Sequence, residues 1–295
     1  MPKDTVFQYR YPSSIAGNEI AHFFWYGAPL SLYENACTTS FIQEGFDVNI
    51  WTFEDIVVPK GAKLRSAERF FSKSEISGFR QNGVQGCVVG FSNAFRYRLL
   101  TEESGWWFDT DCFCLKHQSK YYELKRNKKI VAGWQDNDYV NGAVLCIPDR
   151  QLAFNLLSLY EAIAYEKSKD FNWGDIGPKL ITRFVIENNL IDDICSSNIF
   201  YPLHYSNAIL ALDSEYCNQI SESSADSYLF HYWNEIFKQN SIDKNLLPQK
   251  GSYIYEILFS ETFSLTKNAI EKNDSSCNNN LKPPFLRQIL NAQKK

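Results

Sequence analysis

Apolar and polar positions alternate along this chain in blocks that predict strands and helices in turn. Ile20 to Trp25 is an apolar run closed by Tyr26-Gly27-Ala28-Pro29, which predicts a strand and then a loop. Ser31 to Glu44 predicts a helix: Ser31 is placed to cap it, Glu34 follows three residues on, and Gly45 ends it. Phe46 to Trp51 alternates and predicts a second strand. Strand, helix and strand over about thirty residues predict a parallel βαβ unit. Residues 54–90 are broken by Pro59, Gly61, Gly78, Gly83 and Gly86, and predict short helices and loops over the sheet.

Phe91, Ala94, Phe95, Leu99 and Leu100 share one side of a helix predicted over Phe91 to Glu103. Ser104-Gly105 ends it, and Trp106-Trp107-Phe108 follows as a buried strand. Lys116 to Lys129 is charged and predicts an exposed loop or hairpin. Ile130 to Trp134 and Val144 to Ile147 predict strands, the second entered through Asn141-Gly142-Ala143. Arg150 to Lys169 predicts a long helix with Leu152, Leu156, Leu159 and Ile163 at core spacing. A glycine-rich loop runs from Phe171 to Pro178, with a helix predicted over Lys179 to Asn189. Ile199 to Pro202 and Tyr228 to Phe230 read as short strands, and Ser252 to Phe259 as a helix.

This alternation is the signature of an α/β fold. No internal repeat is visible, so residues 1–272 read as one domain. Asn273 to Asn280 is a polar linker. Leu281 to Lys295 carries Lys282, Arg287, Lys294 and Lys295 without an acid, and sets Phe285, Leu286, Ile289 and Leu290 on one helical face. Such a basic amphipathic tail predicts peripheral contact with an anionic membrane surface.

Composition narrows the function. The chain of 295 residues is 44% hydrophobic and 16% aromatic, enough for a sizeable core. A net charge of −4 argues against nucleic acid as the partner. No apolar run reaches the roughly 18 residues of a spanning helix. The Met-Pro-Lys-Asp start lacks a signal region, so the expected location is cytoplasmic, peripheral at the inner face of the cytoplasmic membrane. Cys87, Cys112, Cys114 and Cys146 lie in apolar segments, as buried reduced thiols do. Cys112-x-Cys114 has no second pair at zinc-finger spacing.

The chemistry centres on Asp109-Thr110-Asp111, where the Trp-Trp-Phe strand ends in two carboxylates. Open α/β sheets bind ligands beyond the carboxyl ends of their strands. Two acids there can hold a divalent cation, which can neutralise a diphosphate. They can equally be turn aspartates. Arg96 lies one turn into the preceding helix. It can fork onto phosphate or carboxylate, or form a structural ion pair, with Asp109 itself as a partner. Trp25 ends the first strand and offers a flat face to a base, or packs in the core. The Trp173 to Pro178 loop precedes a helix without the spacing of a Walker or dinucleotide fingerprint. Asp175 within it is a further acid or a helix cap. His231 leaves a predicted strand and is a third metal-ligand candidate or a core histidine. No hydrolase triad or zinc-protease motif is present.

Five ordered blocks over residues 19–260 give the chain a resemblance. They are Ala21-His22-Phe23-Phe24-Trp25-Tyr26-Gly27; Ser92-Asn93-Ala94-Phe95-Arg96 through Asp109-Thr110-Asp111; Asn141-Gly142-Ala143; Trp173-Gly174-Asp175-Ile176-Gly177-Pro178 with Leu180-Ile181-Thr182-Arg183; and His231-Tyr232-Trp233-Asn234. Together they resemble retaining GT-A glycosyltransferases with an Asp-x-Asp sugar-binding region. That group includes α-1,4-galactosyl- and α-1,4-N-acetylglucosaminyltransferases, bacterial capsule and lipopolysaccharide enzymes and, more distantly, the clostridial glucosylating toxins.

The resemblance implies a single Rossmann-like domain with a central mixed sheet flanked by helices. It implies transfer of a hexose (galactose, glucose or an N-acetyl derivative) from a UDP-sugar to a hydroxyl of a cell-surface glycan or lipid-linked oligosaccharide, with Mn2+ or Mg2+. It implies metal contacts from Asp109, through water, and from Asp111 and His231. Trp25, between Phe24 and Tyr26, would face the uracil. Arg96, Asn93, Thr110, Gly174, Gly177 and Pro178 would line the donor site, and Trp233 would pack over the phosphates. Asp109, Asp111, Arg96, Asn141 and Asp175 form the implied catalytic set. Retention follows either front-side attack or a protein nucleophile, for which Asp136, Asp138 and Asp175 are candidates. The family usually has Asp at the position of Asn93, which leaves the donor hexose open. The alternatives are a protein-modifying glucosyltransferase effector, disfavoured by the lack of a delivery domain, and a non-catalytic sugar-nucleotide or glycan-binding module.

Overall fold

The computed structural model describes residues 17–259. The tail expected to contact a membrane, the polar linker and the start of the chain lie outside them. Successive side chains of a strand point to opposite faces, and the apolar runs here are continuous, so both faces of the sheet are covered. Six strands make up the central sheet: β1 (Ile20–Phe24), β2 (Asp47–Thr52), β3 (Lys63–Ser66), β6 (Trp106–Phe108), β8 (Val131–Trp134) and β9 (Val140–Cys146). Their order is β3-β2-β1-β6-β9-β8. The first four are parallel neighbours, while β9 runs antiparallel to both β6 and β8. This is the mixed sheet flanked by helices expected of an α/β fold.

The flanking helices follow in chain order as α1 (Leu32–Gln43), α2 (Val88–Glu102), α3 (Gln118–Lys125), α4 (Arg150–Glu166), α5 (Pro178–Glu187), α6 (Ser197–Phe200), α7 (Cys217–Ser224), α8 (Asn234–Gln239) and α9 (Tyr253–Phe259). Phe23, Trp106 and Phe108 face a core built with α1, α3, α7, α8 and α9. Phe24, Trp51 and Trp107 face the opposite core, built with α2, α4 and α5. Burial of each such ring contributes about 1.5–3 kcal/mol. Short strands complete the fold. β7 (Cys112–Cys114) pairs antiparallel with β11 (Leu229–His231). β4 (Arg80–Gln81) lies between β5 (Val84–Gln85) and β10 (Asp170–Phe171).

The βαβ unit forms as read: β1 and β2 are parallel, and α1 starts with a capping box between Ser31 and Glu34. Elsewhere the local reading is corrected. All four side chains of β3 are exposed, so it carries no apolar alternation to read. The charged 116–129 stretch contains α3, anchored by the single buried ring of Tyr121 rather than by a stripe. The run Ile199 to Pro202 is not a strand; it falls on helical turn α6, closed by a Tyr201 N–H to Ser197 C=O bond. A short apolar run does not by itself separate strand from helix. β9 begins at Val140, so Asn141 and Gly142 lie inside it, although both residue types are poor strand formers. Among the described residues no helix is long and apolar enough to cross a membrane.

Candidate functional site

From β1 the chain crosses through α1 to β2 on one side, and later enters β6 on the other. The crevice between β1 and β6 is therefore the topological switch point of the sheet, where such folds bind ligands. Ala21 and His22 pair with Trp106 and Trp107, so the two strands end level with each other. One end delivers Trp25 and the other Asp109. A cleft of about 900 Å³ opens there, within the size range of ligand pockets.

Asp109 is held. Its Oδ1 accepts hydrogen bonds from Arg96 Nη2 at 2.9 Å and from the Trp107 indole N–H at 2.7 Å. Arg96 is buried and lies 5.0 Å over the Trp107 ring. The structural ion pair foreseen for Arg96 thus forms within the cleft wall. Gly142 makes it possible: a Cβ there would meet Arg96 Nη1 at 2.4 Å and Ile181 Cδ1 at 2.6 Å. Asn141 is also engaged, donating to Gln135 Oε1 and accepting from the Ala143 N–H.

Asp111 sits deeper and is 8% exposed. Its Oδ2 accepts the Asn234 N–H at 2.8 Å, and its Oδ1 lies 3.3 Å from His231 Nε2. Burial alone would raise its pKa; the neighbouring His231 and the hydrogen bonds, that from Asn234 included, outweigh burial and hold its carboxyl below the usual carboxylate range. The His231 approach is an ion-pair distance with poor hydrogen-bond alignment, because neither ring nitrogen of His231 has a hydrogen-bond partner. Buried imidazoles normally find partners, so a carboxylate beside an unpartnered imidazole fits a cation between them. Trp233 adopts a left-handed backbone at φ +60°, donates its indole N–H to Leu203 C=O, and packs edge-on to His231 at 4.3 Å.

Of the other anticipated residues, Phe24, Trp25, Tyr26, Asn93, Thr110, Gly177 and Pro178 line the same cleft. Phe24 is mainly core, packed on Phe95 at 4.7 Å. Asn93 packs against Gly177, where a Cβ would come within 3.3 Å of its amide nitrogen. Asp175 is not among the lining residues. It accepts the Asn172 N–H and pairs with Lys167 and Lys179, which hold its carboxyl below the usual range against the opposing effect of burial. Asp175 thus lies outside the cleft that Asp109 and Asp111 enter. Gly174 borders a smaller adjoining pocket rather than the main cleft. Asp136 is used up in a turn, accepting the Asp138 and Tyr139 N–H groups, and neither Asp136 nor Asp138 lines the cleft.

Several lining residues had no sequence signal. Gln135, Tyr205 and Lys244 enter from separate segments. Lys244 pairs with the buried Glu34, which also accepts from Asn234 Nδ2 and completes the α1 cap. This ties the loop after α8 to the first helix. Lys244 Nζ also lies 5.9 Å from the Trp25 ring.

Residues 164–250 match the family model described as "Alpha 1,4-glycosyltransferase conserved region". No curated protein matches the chain. Similar solved structures include the PaToxG glycosyltransferase, at 13% identity over 70% of this chain and 76% of that one, TM-score 0.44. Another is mouse xyloside xylosyltransferase 1, at 10% identity over 73% and 97%, TM-score 0.42. A third is the apo glycosyltransferase GlyE of Streptococcus pneumoniae TIGR4, at 12% identity over 73% and 55%, TM-score 0.39. Likeness at this level says nothing about substrate. The family match is confined to residues 164–250, the segment that carries Gly177, Pro178, His231 and Trp233 into the cleft.

Proposed function

We propose that this protein is a metal-dependent retaining glycosyltransferase that binds a UDP-hexose in the cleft between β1 and β6. One observation carries the reading. The segment matching the glycosyltransferase model supplies Gly177, Pro178, His231 and Trp233 to the same cleft that Asp109 and Asp111 enter from β6. Asp111 and His231 would hold a divalent ion, whose charge stabilises the leaving diphosphate. Arg96 holds the Asp109 carboxylate in place at the end of β6. Trp25, beyond the end of β1, would meet the base. Asn93 and Asn141 offer amides to hexose hydroxyls.

The carboxylates Asp136, Asp138 and Asp175 do not line the cleft. Front-side attack is therefore the proposed course, with a diphosphate oxygen taking the proton of the acceptor hydroxyl. The acceptor is proposed to be a cell-surface glycan, the class that the resemblance implies. The test is turnover of a panel of UDP-hexoses with Mn2+, in the full chain and in Asp111→Asn. The expected result is metal-dependent release of UDP that falls about 10³-fold in the variant, the loss typical of a charge-stabilising group. Near-normal turnover of Asp111→Asn with EDTA present overturns the reading.

A further inference from the structure

We propose that Cys112 is the third protein ligand of the cation site formed by Asp111 and His231, so that the site takes a borderline-soft divalent ion of the zinc or cobalt type more tightly than Mg2+. The inference rests on the metal-dependent reading of the cleft and adds a sulfur donor to it.

Geometry carries the argument. One ligand atom each from Asp111, Cys112 and His231 lies within 4.8 Å of the others, the one such group among the described residues. The reason is register. Cys112 and His231 are direct partners across the antiparallel β7–β11 pair, so their side chains project from the same face at close range. Asp111 immediately precedes β7 and turns its carboxylate toward the same imidazole. Asp109, the other acid of the motif, is not part of this group; its Oδ1 accepts from Arg96 and Trp107.

A second observation points to a ligand. His231 is 6% exposed, and both its ring nitrogens lack a hydrogen-bond partner. Leaving a buried polar atom unsatisfied is costly, and coordination to an ion removes that cost. The three donors are also arranged unequally. Asp111 and His231 line the cleft, whereas Cys112 is fully buried behind them. Three protein ligands with the remaining position facing a cleft is the pattern of an open rather than a closed zinc-type site. One thiolate, one imidazole and one carboxylate form a donor set that Mg2+, which favours oxygen, does not prefer.

The balance is simple. The Cys112 S–H bond breaks, its proton leaves to solvent, a metal–sulfur bond forms, and no electron changes hands. The ordinary alternative is that Cys112 is a core thiol directed at the Ala143 carbonyl, 3.8 Å away.

Co2+ titrated into the full chain tests this without an assay of activity. The expected spectrum has visible cobalt bands together with a near-ultraviolet thiolate-to-cobalt band. Cys112→Ser and Cys112→Ala should lose the near-ultraviolet band and keep the visible ones. Cys37→Ser, which alters the other buried thiol that senses the Asp111 charge, should keep both. Circular dichroism establishes that each variant is folded. Visible bands without the near-ultraviolet band in the unaltered chain, or a band that survives Cys112→Ser, overturns the sulfur ligand and leaves the metal-dependent reading standing. Absence of bound Co2+, or binding unchanged by both Asp111→Asn and His231→Asn, overturns both.

Discussion

Two buried histidines sit on strands of this molecule and have opposite surroundings. His22 on β1 is 0% exposed and His231 on β11 is 6% exposed. His22 is satisfied at both ring nitrogens: Nε2 meets the Ser104 carbonyl at 3.0 Å, and Nδ1 accepts the Trp51 indole N–H at 3.1 Å. His231 is satisfied at neither and faces a carboxylate. Burial is therefore not what separates a structural histidine from a binding one. A satisfied ring holds neighbouring elements together; an unsatisfied ring beside a charge is set up to take a ligand.

The largest expected effect tests the unsatisfied ring. His231→Asn should lower turnover by more than about 100-fold, because even residues that only support a ligand lose up to that much. Its stability to urea should fall as well, by about 3–5 kcal/mol at most, because the buried Asp111 carboxylate loses the imidazole beside it. A variant that unfolds easily but turns over normally would reverse the roles assigned to the two histidines.

The satisfied ring is tested by acid. Burial, opposed by the Ser104 carbonyl and reinforced by Arg65, lowers the His22 pKa to about 4. The unfolded chain protonates its imidazole near pH 6.5, so between those values the unfolded state binds more protons. Stability from this group is complete above about pH 6.5 and is lost as pH falls toward 4, amounting to about 3 kcal/mol. Urea unfolding at pH 7 and pH 4 should register that loss, and His22→Gln should flatten it. A dependence equally steep in His22→Gln would assign the acid sensitivity elsewhere.

The smallest effect concerns the cleft wall at Gly142. Gly142→Ala puts a methyl onto Arg96 and Ile181. Overpacking of this kind costs about 1–3 kcal/mol. Thermal denaturation should show that loss, with a weakened Arg96–Asp109 pair as its cause. Unchanged stability would mean that Arg96 moves freely and does not hold Asp109.

Much of this was legible locally. The capping box at Ser31 and Glu34, the parallel βαβ unit and the strand ending at Asp109 follow from spacing alone. His231 is legible as a candidate because it leaves an apolar strand. Asp175 looked equally suited to chemistry, and only Lys167 and Lys179 reveal it as an ion-paired loop residue. α3 was hidden because one buried tyrosine leaves no periodic trace, and β3 because none of its side chains is buried.

What the chain determined unaided was the alternation of strand and helix and the acids at the end of a buried strand. The tertiary structure alone decided that Arg96 and Trp107 hold Asp109 while Asp111 faces His231. Arg96 reaches Asp109 only where Gly142 on a different strand clears the way. Cys112 meets His231 only through the register of β7 with β11, more than a hundred residues apart. Periodicity reports which face of an element is buried. Which partner buries it is settled by long-range pairing, and that pairing leaves no mark on either segment by itself.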